Sequence, residues 1–344
     1  MIRFENDYAE GAHPRILNRL IETNNEQTSG YGTDEYCEKG KTYIKEACQA
    51  PEADVHFLVG GTQTNTTIIA SILRPHQGAI SAETGHIATH ETGAIEATGH
   101  KILTLPSDDG KITALQVKLL CQEHWNDPAA IHTVQPGLVY ISHPTEIGTT
   151  YTKSELSELS KVCREFNLPL MMDGARLGYG LVMKDNDLTL PDIAQFCDVF
   201  YIGGTKVGAL FGEAVVITQD QLKKDFRYFI KQRGGLLAKG RLLGIQFETL
   251  FADGLYEEIS RHGVEMAMLI RTALVQKGFA LRYDSKTNQQ FPILPHEVLT
   301  KLNETYAFTF WEQVDADHSV IRICTSWATK REHVDQLVTD LKNL

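Results

Sequence analysis

Short apolar runs alternate along the chain with stretches in which apolar residues recur at helical spacing. Short runs rich in β-branched and aromatic residues predict buried strands, and the amphipathic stretches between them predict helices that cover those strands. The predicted strands span residues 54–59, 78–82, 101–105, 137–142, 168–172, 199–202 and 213–218. This alternation favours an α/β protein whose mainly parallel sheet lies between helices.

The most explicit helix start lies at Thr152. Thr152 and Glu155 have the capping-box spacing, in which a hydroxyl and a carboxylate satisfy exposed backbone N–H groups. Leu156, Leu159 and Cys163 follow on one helical face, which we expect to be core. Further helices are predicted over residues 66–73, 113–125 and 219–271, and after residue 329.

The pattern changes in the last part of the chain, where strands are predicted over residues 306–311 and 320–325. A chain of 344 residues exceeds what one compact core usually organises. We therefore predict a large domain over residues 31–275 and a smaller C-terminal domain over residues 276–344. Residues 1–30 are expected to contribute to the small domain and to the active site.

Composition excludes several classes of protein. The 42% apolar and 22% charged residues are ordinary for a globular chain, and the formal charge of −11 leaves no excess of cations to neutralise nucleic acid or an acidic membrane. No apolar run reaches membrane-spanning length. The first eight residues include three charged side chains and lack the apolar core of a signal peptide, and the six cysteines form no CxxC pair. We expect a cytoplasmic protein.

Three residues near the ends of predicted strands suggest a particular chemistry. Asp173 and Arg176 follow the strand over 168–172, and Lys206 follows the strand over 199–202 in a glycine-rich bend. Taken singly, Asp173 is explained as a helix cap or ion-pair partner, Arg176 as part of a surface ion pair, and Lys206 as a solvated amine. Together they fit pyridoxal phosphate: the amine forms a Schiff base, the carboxylate keeps the pyridine nitrogen protonated, and the arginine reaches the ring's phenolic oxygen.

A phosphate site is predicted where the strand over 54–59 meets the following helix. The segment Gly60-Gly61-Thr62-Gln63-Thr64-Asn65 combines glycines with hydroxyl donors, and the N-terminus of a helix attracts anions. A plain turn with a threonine cap is the alternative. Thr205, beside Lys206, is a further candidate phosphate donor.

Two histidines and one arginine complete the candidate set. His86 and His90 have HxxxH spacing, but only two ligands are local, so we expect no metal site. We predict instead that His86 stacks on the pyridine ring and that His90 is structural. Arg322 lies on a predicted strand and is a candidate clamp for a substrate carboxylate, the alternative being an edge-strand arginine that faces water.

The chain resembles the low-specificity L-threonine aldolases, a β-eliminating-lyase-like branch of the fold-type I pyridoxal-phosphate enzymes. The likeness covers nearly the whole chain and is carried by these motifs: Asn6-Asp7, residues 30–34 (GYGTD), residues 61–65 (GTQTN), His86, residues 173–176 (DGAR), Thr205-Lys206 and Arg322. It implies a mainly parallel seven-stranded sheet between helices with a smaller C-terminal α+β domain. It also implies a homotetramer or homodimer.

The resemblance assigns roles residue by residue. Lys206 carries the cofactor, Asp173 pairs with the pyridine nitrogen, Arg176 contacts the ring oxygen and His86 stacks on the ring. The phosphate is held by Gly61, Thr62 and Gln63. The substrate carboxylate is bound by Asn6 and Arg322, and Tyr31 approaches from a neighbouring subunit.

Three positions depart from the family pattern. Asn6 stands where many members have serine, and Glu146 stands where others place a histidine near the substrate's hydroxyl. Lys239 occupies a region where others carry an arginine. The departures at Glu146 and Lys239 bear on substrate preference within the lyases.

The implied activity is cleavage of L-threonine or L-allo-threonine into glycine and an aldehyde by scission of the Cα–Cβ bond. The base that takes the β-hydroxyl proton is left open among His86, Glu146 and an ordered water. Other reactions of this cofactor are the nearest alternative, namely β-elimination, transamination or racemisation. A non-catalytic binding protein and a metal-dependent enzyme using His86 and His90 are more distant ones.

Overall fold

The computed structural model describes all 344 residues. Its strands are β1 (Ile2–Arg3), β2 (Asp54–Leu58), β3 (Gln77–Ala82), β4 (Ile102–Leu105), β5 (Gln135–Ser142), β6 (Leu170–Asp173), β7 (Val199–Gly203), β8 (Glu213–Ile217), β9 (Gln289–Gln290), β10 (Ile293–Pro295), β11 (Tyr306–Ala307), β12 (Thr309–Gln313) and β13 (His318–Cys324).

Helices separate most of these strands. They are α1 (Pro14–Glu22), α2 (Glu35–Ala47), α3 (Gly61–Ile72), α4 (His86–Thr89), α5 (Ala114–Asn126), α6 (Lys153–Glu165), α7 (Leu177–Val182), α8 (Leu190–Phe196), α9 (Asp220–Lys223), α10 (Phe226–Gln232), α11 (Arg241–Ala252), α12 (Leu255–Lys277), α13 (His296–Leu302) and α14 (Arg331–Asn343). No helix is both long and apolar enough to cross a bilayer.

A seven-stranded sheet with the order β2-β8-β7-β6-β5-β3-β4 forms the centre of the molecule. All its pairs are parallel except those of β8, which runs antiparallel to both neighbours. The predicted α/β architecture is confirmed. Because β8 is reversed, its first residue, Glu213, lies at the same sheet edge as the last residues of β6 and β7.

Both faces of this sheet are buried, which explains why its strands read as continuous apolar runs. Side-chain alternation divides them between two cores. Met172, Phe200 and Val216 belong to one apolar cluster, and Met171 and Val215 belong to the other. The second face also carries Tyr140, Tyr201, Asp173 and Glu213. The polar residues of the site thus project from the ends of strands whose other residues are core.

The C-terminal region builds a smaller sheet of β10, β13 and β12, with β9 added beside β13. The first strand, β1, pairs in parallel with β11, so that Ile2 lies opposite Tyr306. Phe4 joins the apolar cluster of this region. These contacts agree with a small C-terminal domain that the N-terminus joins; the exact boundaries at residues 30 and 275 stay predictions.

Several elements differ from the sequence-based expectations. Helix α3 begins at Gly61 rather than residue 66, because its polar first turn carries no apolar periodicity. The region over 219–271 contains four helices instead of one long one, interrupted at Asp225, Gly234 and Gly254, which all have positive φ. The elements that were not predicted are α1, α2, α4, α7, α8, α13, β1, β9 and β10, all of which except α2 are short.

Candidate active site

Lys206 follows β7 in a tight bend that requires glycine. A Cβ on Gly203 would lie 2.4 Å from the carbonyl oxygen of Ala175, so only glycine allows the two backbones to meet. The bend is fastened by the hydroxyl of Tyr179, which donates to the carbonyl of Lys206 at 2.6 Å. The Lys206 amine makes no hydrogen bond or ion pair within the chain and borders a cavity. Burial and the nearby charge of Arg176 lower its pKa, which favours a nucleophilic amine.

Asp173 ends β6 and is almost fully buried. Its carboxylate accepts hydrogen bonds from the Tyr140 hydroxyl at 2.6 Å, the Asn65 amide at 3.1 Å and the Ala175 N–H at 3.0 Å. Burial alone would raise the pKa of Asp173, but the charge of His86 and these donors lower it below its ordinary value. Asp173 is therefore an ionised acceptor at neutral pH.

His86 begins α4 and is oriented by a carboxylate that the sequence analysis missed. Its Nδ1 lies 3.1 Å from the Oε1 of Glu91, whose side chain is fully buried. Asn65 donates to the same oxygen at 2.9 Å and so connects Glu91 to Asp173. Burial would lower the pKa of His86, but Glu91 and Asp173 outweigh burial and raise it. His86 is thus a positioned ring whose surroundings favour the protonated form.

Arg176 forms a buried two-pronged ion pair with Asp7. Its Nε and Nη2 donate to the two carboxylate oxygens at 2.7 and 3.0 Å. Asn288 also donates to Asp7 at 2.9 Å. Burial would raise the pKa of Asp7, but Arg176 and Lys206 lower it. Asp7, noted in the sequence only as part of a motif, therefore anchors the N-terminal segment beside Lys206.

The predicted phosphate site lies at the N-terminus of α3. Gly60 gives this helix no side-chain cap, so the N–H groups of its first turn lack the usual internal acceptor. The Gln63 side chain is engaged elsewhere: it accepts from the Val59 N–H at 3.2 Å and donates to the Arg233 carbonyl at 3.0 Å. A phosphate at this helix end would be met by backbone N–H groups and by the Thr62 hydroxyl.

Thr205 has a different partner from the one predicted. Its hydroxyl donates to the Oε1 of Glu213 at 2.9 Å and accepts from the Gly212 N–H at 2.9 Å. Glu213 is buried, its Oε2 has no hydrogen-bond partner, and burial raises its pKa to about 8. A phosphate contact by Thr205 stays a prediction that would require its hydroxyl to leave Glu213. Glu213 could have been noticed in the sequence, because it is a charged residue at the start of the apolar run over 213–217.

One cavity of about 490 Å³ brings together five of the predicted site residues, among them Lys206 and Arg322. Its lining residues are Tyr8, His86, His90, Glu146, Arg176, Lys206, Thr309, Phe310, Trp311 and Arg322. A larger cavity of about 570 Å³, beside α7 and α8, contains none of the predicted residues. The cavity that Lys206 borders is therefore distinguished by its lining residues and not by its size.

Two residues of this cavity carry polar atoms without protein partners. Glu146 Oε1 accepts from the Ser142 hydroxyl at 2.6 Å and from the backbone N–H of His86 at 2.9 Å, whereas its Oε2 has no partner. Burial raises the pKa of Glu146. Arg322 donates to the Glu5 carbonyl at 3.0 Å, but its buried Nε is unpaired and no carboxylate of the chain pairs with it. Both groups retain capacity for a ligand.

Asp173, Thr205 and the predicted phosphate residues do not line this cavity. Three further residues, Asn6, Tyr31 and Lys239, also lie outside it, and their roles stay predictions. The Asn6 side chain accepts from the backbone N–H of Tyr8 at 3.0 Å. Tyr31 is 46% exposed, with the Lys231 ammonium 4.8 Å from its ring centroid. Lys239 is exposed in a separate groove.

The histidine pair gives no metal centre. The ring centroids of His86 and His90 are 5.7 Å apart, and no group of three or more His, Cys, Asp or Glu residues has a metal-binding arrangement.

The fold and the lysine-bearing edge of its sheet define a class of protein. The aspartate aminotransferase of Thermus thermophilus superposes with a TM-score of 0.71 at 12% identity, over 100% of this chain and 92% of that structure. At that identity the likeness establishes the fold alone. The fold is that of the fold-type I pyridoxal-phosphate enzymes, as the resemblance implied.

The family follows from closer matches. The model of the beta-eliminating lyase family matches residues 11–294, and the chain belongs to that family. A threonine aldolase of Leishmania major is 45% identical in sequence, with a TM-score of 0.97 over 100% of this chain and 99% of that structure. The low specificity L-threonine aldolase of Pseudomonas sp. (strain NCIMB 10558) is 27% identical over 343 residues, which cover 99% of this chain and 97% of the relative. The resemblance to threonine aldolases is confirmed.

Proposed function

We propose that the protein is a pyridoxal-phosphate-dependent lyase that cleaves a β-hydroxy-L-amino acid, L-threonine or L-allo-threonine, into glycine and an aldehyde. The observation that carries the proposal is an unpartnered, half-buried Lys206 amine at the cavity, with the buried, ionised Asp173 near enough for its charge to act on that amine. The similarity to threonine aldolases over the whole chain supports the choice of reaction.

The residues fit the cofactor. The Lys206 amine has no competing partner, so it is available to bind the cofactor's aldehyde carbon covalently. The ionised Asp173 suits a protonated pyridine nitrogen, and the uncapped N-terminus of α3 suits a phosphate. When bound, the cofactor supplies an electron-accepting ring that is conjugated to the substrate's α-carbon.

The chain's own groups would hold the substrate. Arg322 lines the cavity with an unpaired Nε, and its guanidinium carbon lies 5.8 Å from the centroid of Trp311. A guanidinium without a protein carboxylate complements the carboxylate of an amino acid. His86 lies against the same space and would cover one ring face. Fixing the carboxylate orients the Cα–Cβ bond for cleavage.

The ion pair with Asp7 limits which atoms of Arg176 could contact the cofactor's ring oxygen. Its bond to Asp7 uses Nε and Nη2, so a contact to the ring oxygen would have to come from Nη1 or alongside that pair. The pair also fixes the N-terminal segment against the cavity wall, next to Tyr8.

We further propose a cytoplasmic homotetramer or homodimer in which Tyr31 reaches the site of a neighbouring subunit. The exposed Tyr31 ring, outside the cavity of its own chain, supports this proposal. Size-exclusion chromatography with light scattering measures the assembly. A monomer that is fully active would contradict it.

The test of function is a product assay on the cofactor-loaded protein. We expect equimolar glycine and acetaldehyde from L-threonine. Pyruvate or ammonia from L-serine or L-cysteine at a higher kcat/KM would instead indicate β-elimination. Comparison of L-threonine with L-allo-threonine then defines the preferred substrate.

A further inference from the structure

The reaction needs a group that accepts the β-hydroxyl proton, and the cavity offers three ionisable side chains for that task. They are His86, His90 and Glu146. Geometry separates them. This inference rests on the proposed function, because only a retro-aldol substrate presents the hydroxyl in question.

His86 is unsuited to accept a proton. Its Nδ1 is committed to Glu91 at 3.1 Å, and Glu91 and Asp173 raise its pKa, which favours the protonated ring. In the protonated ring both nitrogens are donors and neither accepts. His86 is therefore better suited to stabilise negative charge than to act as the base.

His90 is neutral but poorly placed. Burial and the charge of His86 lower its pKa, yet its side chain is exposed at the rim of the cavity. No protein group holds its ring in one orientation by a hydrogen bond. A general base needs a fixed position within hydrogen-bond reach of its proton.

Glu146 has the required combination of a fixed carboxylate and a free oxygen. The Ser142 hydroxyl and the backbone N–H of His86 donate to Oε1 at 2.6 and 2.9 Å and hold it in place. Oε2 is buried without any partner, an arrangement that costs free energy unless a ligand supplies a donor. A substrate hydroxyl is such a donor. Burial also raises the pKa of this carboxyl and so makes it a stronger base than an exposed glutamate.

We infer that Glu146 is the general base of the cleavage and takes the β-hydroxyl proton on Oε2. The O–H bonding pair becomes the second C–O bond of the aldehyde as the Cα–Cβ bond breaks. That Cα–Cβ pair stays with the α-carbon, which gains one proton to give glycine. One proton is lost from oxygen and one is gained at carbon, so no further reactant is needed.

The test compares Glu146→Gln with Glu158→Gln, which removes an exposed carboxylate on α6. Two reactions are measured on each cofactor-loaded protein: acetaldehyde release from L-threonine, and exchange of the glycine α-proton in deuterated water. Glycine has no β-hydroxyl, so its exchange does not need this base. For Glu146→Gln we expect kcat for cleavage to fall by about 10²- to 10⁴-fold, the usual contribution of a general base. Exchange should stay within about threefold of wild type, and Glu158→Gln should retain both reactions.

The outcomes separate this inference from the proposed function. Failure of the wild-type protein to release acetaldehyde would overturn the function itself. An active wild type with an equally active Glu146→Gln would overturn only the role of Glu146. Equal loss of cleavage and exchange would also contradict it, because Glu146 would then act in a step that both reactions share. A loss confined to His90→Asn would transfer the role to His90.

Two further readouts guard against a folding defect. Thermal unfolding of the cofactor-free variants checks that Glu146→Gln folds. Glu146→Asp keeps a carboxylate but withdraws it by one methylene, so we expect cleavage between those of wild type and the glutamine variant. Cleavage by Glu146→Asp that is weaker than cleavage by Glu146→Gln would contradict the role of Glu146 as a base.

Discussion

Asp173 and Glu213 lie at the same edge of the central sheet, on the same face, and are 4% and 3% exposed. Burial acts on both in the same direction, yet the pKa of Asp173 is lowered and that of Glu213 is raised to about 8. Asp173 receives three hydrogen bonds and the charge of His86. Glu213 receives one side-chain hydrogen bond, from Thr205, and feels the like charge of Asp173. The charges and donors around each carboxyl, rather than its depth of burial, therefore distinguish the two pKa values.

The difference in pKa gives the two carboxyls different roles beside Lys206. An ionised Asp173 can hold a protonated pyridine nitrogen, whereas a second buried carboxylate would add a negative charge close to the proposed phosphate. A Glu213 that carries its proton avoids that repulsion. The two carboxyls thus give the lysine one anionic neighbour and one that is neutral below about pH 8.

Removing the charge of Asp173 should have the largest effect. Asp173→Asn retains the shape but loses the charge-assisted bond to the pyridine nitrogen, a type of bond that contributes about 1.5–3 kcal/mol. We expect cofactor affinity to fall by about 10- to 150-fold, with a larger loss of turnover. Equilibrium dialysis of pyridoxal phosphate measures the affinity. Unchanged affinity and turnover would show that Asp173 does not contact the ring.

Removing one donor from Asp173 should have a smaller effect. Tyr140→Phe deletes the 2.6 Å hydrogen bond to a buried carboxylate, with a cost of about 1.5–3 kcal/mol in the free energy of unfolding at neutral pH. The pKa of Asp173 should rise towards its ordinary value. Because a depressed carboxyl pKa stabilises the fold only above its unfolded value, the cost should shrink in acid. Urea denaturation of the cofactor-free protein at neutral and acidic pH gives both quantities, and an equal cost at both would argue against an ionised Asp173.

The effect of Glu213→Gln should depend on pH in the opposite sense and is confined to stability. With a folded pKa of about 8 against an ordinary 4.5, the folded state holds its proton longer, so wild-type stability declines as pH rises through this window. Glu213→Gln cannot ionise, and its melting temperature should gain on wild type by a few degrees between about pH 5 and pH 8. Parallel curves for the two cofactor-free proteins would show that Glu213 is already ionised.

The features predicted correctly from the sequence are those that depend on neighbouring residues along the chain. Lys206 and Asp173 stand out because each follows an apolar strand and lies beside glycines, so their place at one sheet edge follows from strand order. The capping box at Thr152 was likewise predicted correctly and is present. Strand β7 was predicted to within one residue, since strands buried on both faces have an unbroken apolar pattern.

The supporting network was not predictable because its contacts cross long stretches of chain. Asp7 meets Arg176 from 169 residues away and Asn288 from 281 residues away. Asn65, Glu91 and Asp173 likewise meet only once α3, α4 and β6 are assembled. Local patterning reports burial and secondary structure, but it does not report which buried polar groups will face one another.

The central claim, that Lys206 carries the cofactor, is tested most directly by borohydride reduction of the pyridoxal-phosphate-loaded protein followed by peptide mass mapping. Reduction makes the lysine–cofactor bond permanent, so the modified residue can be identified. We predict one pyridoxyl phosphate per chain, on the peptide containing Lys206, and none on that peptide in Lys206→Ala. A label on another lysine, or no stable label on the wild-type protein, would contradict the account.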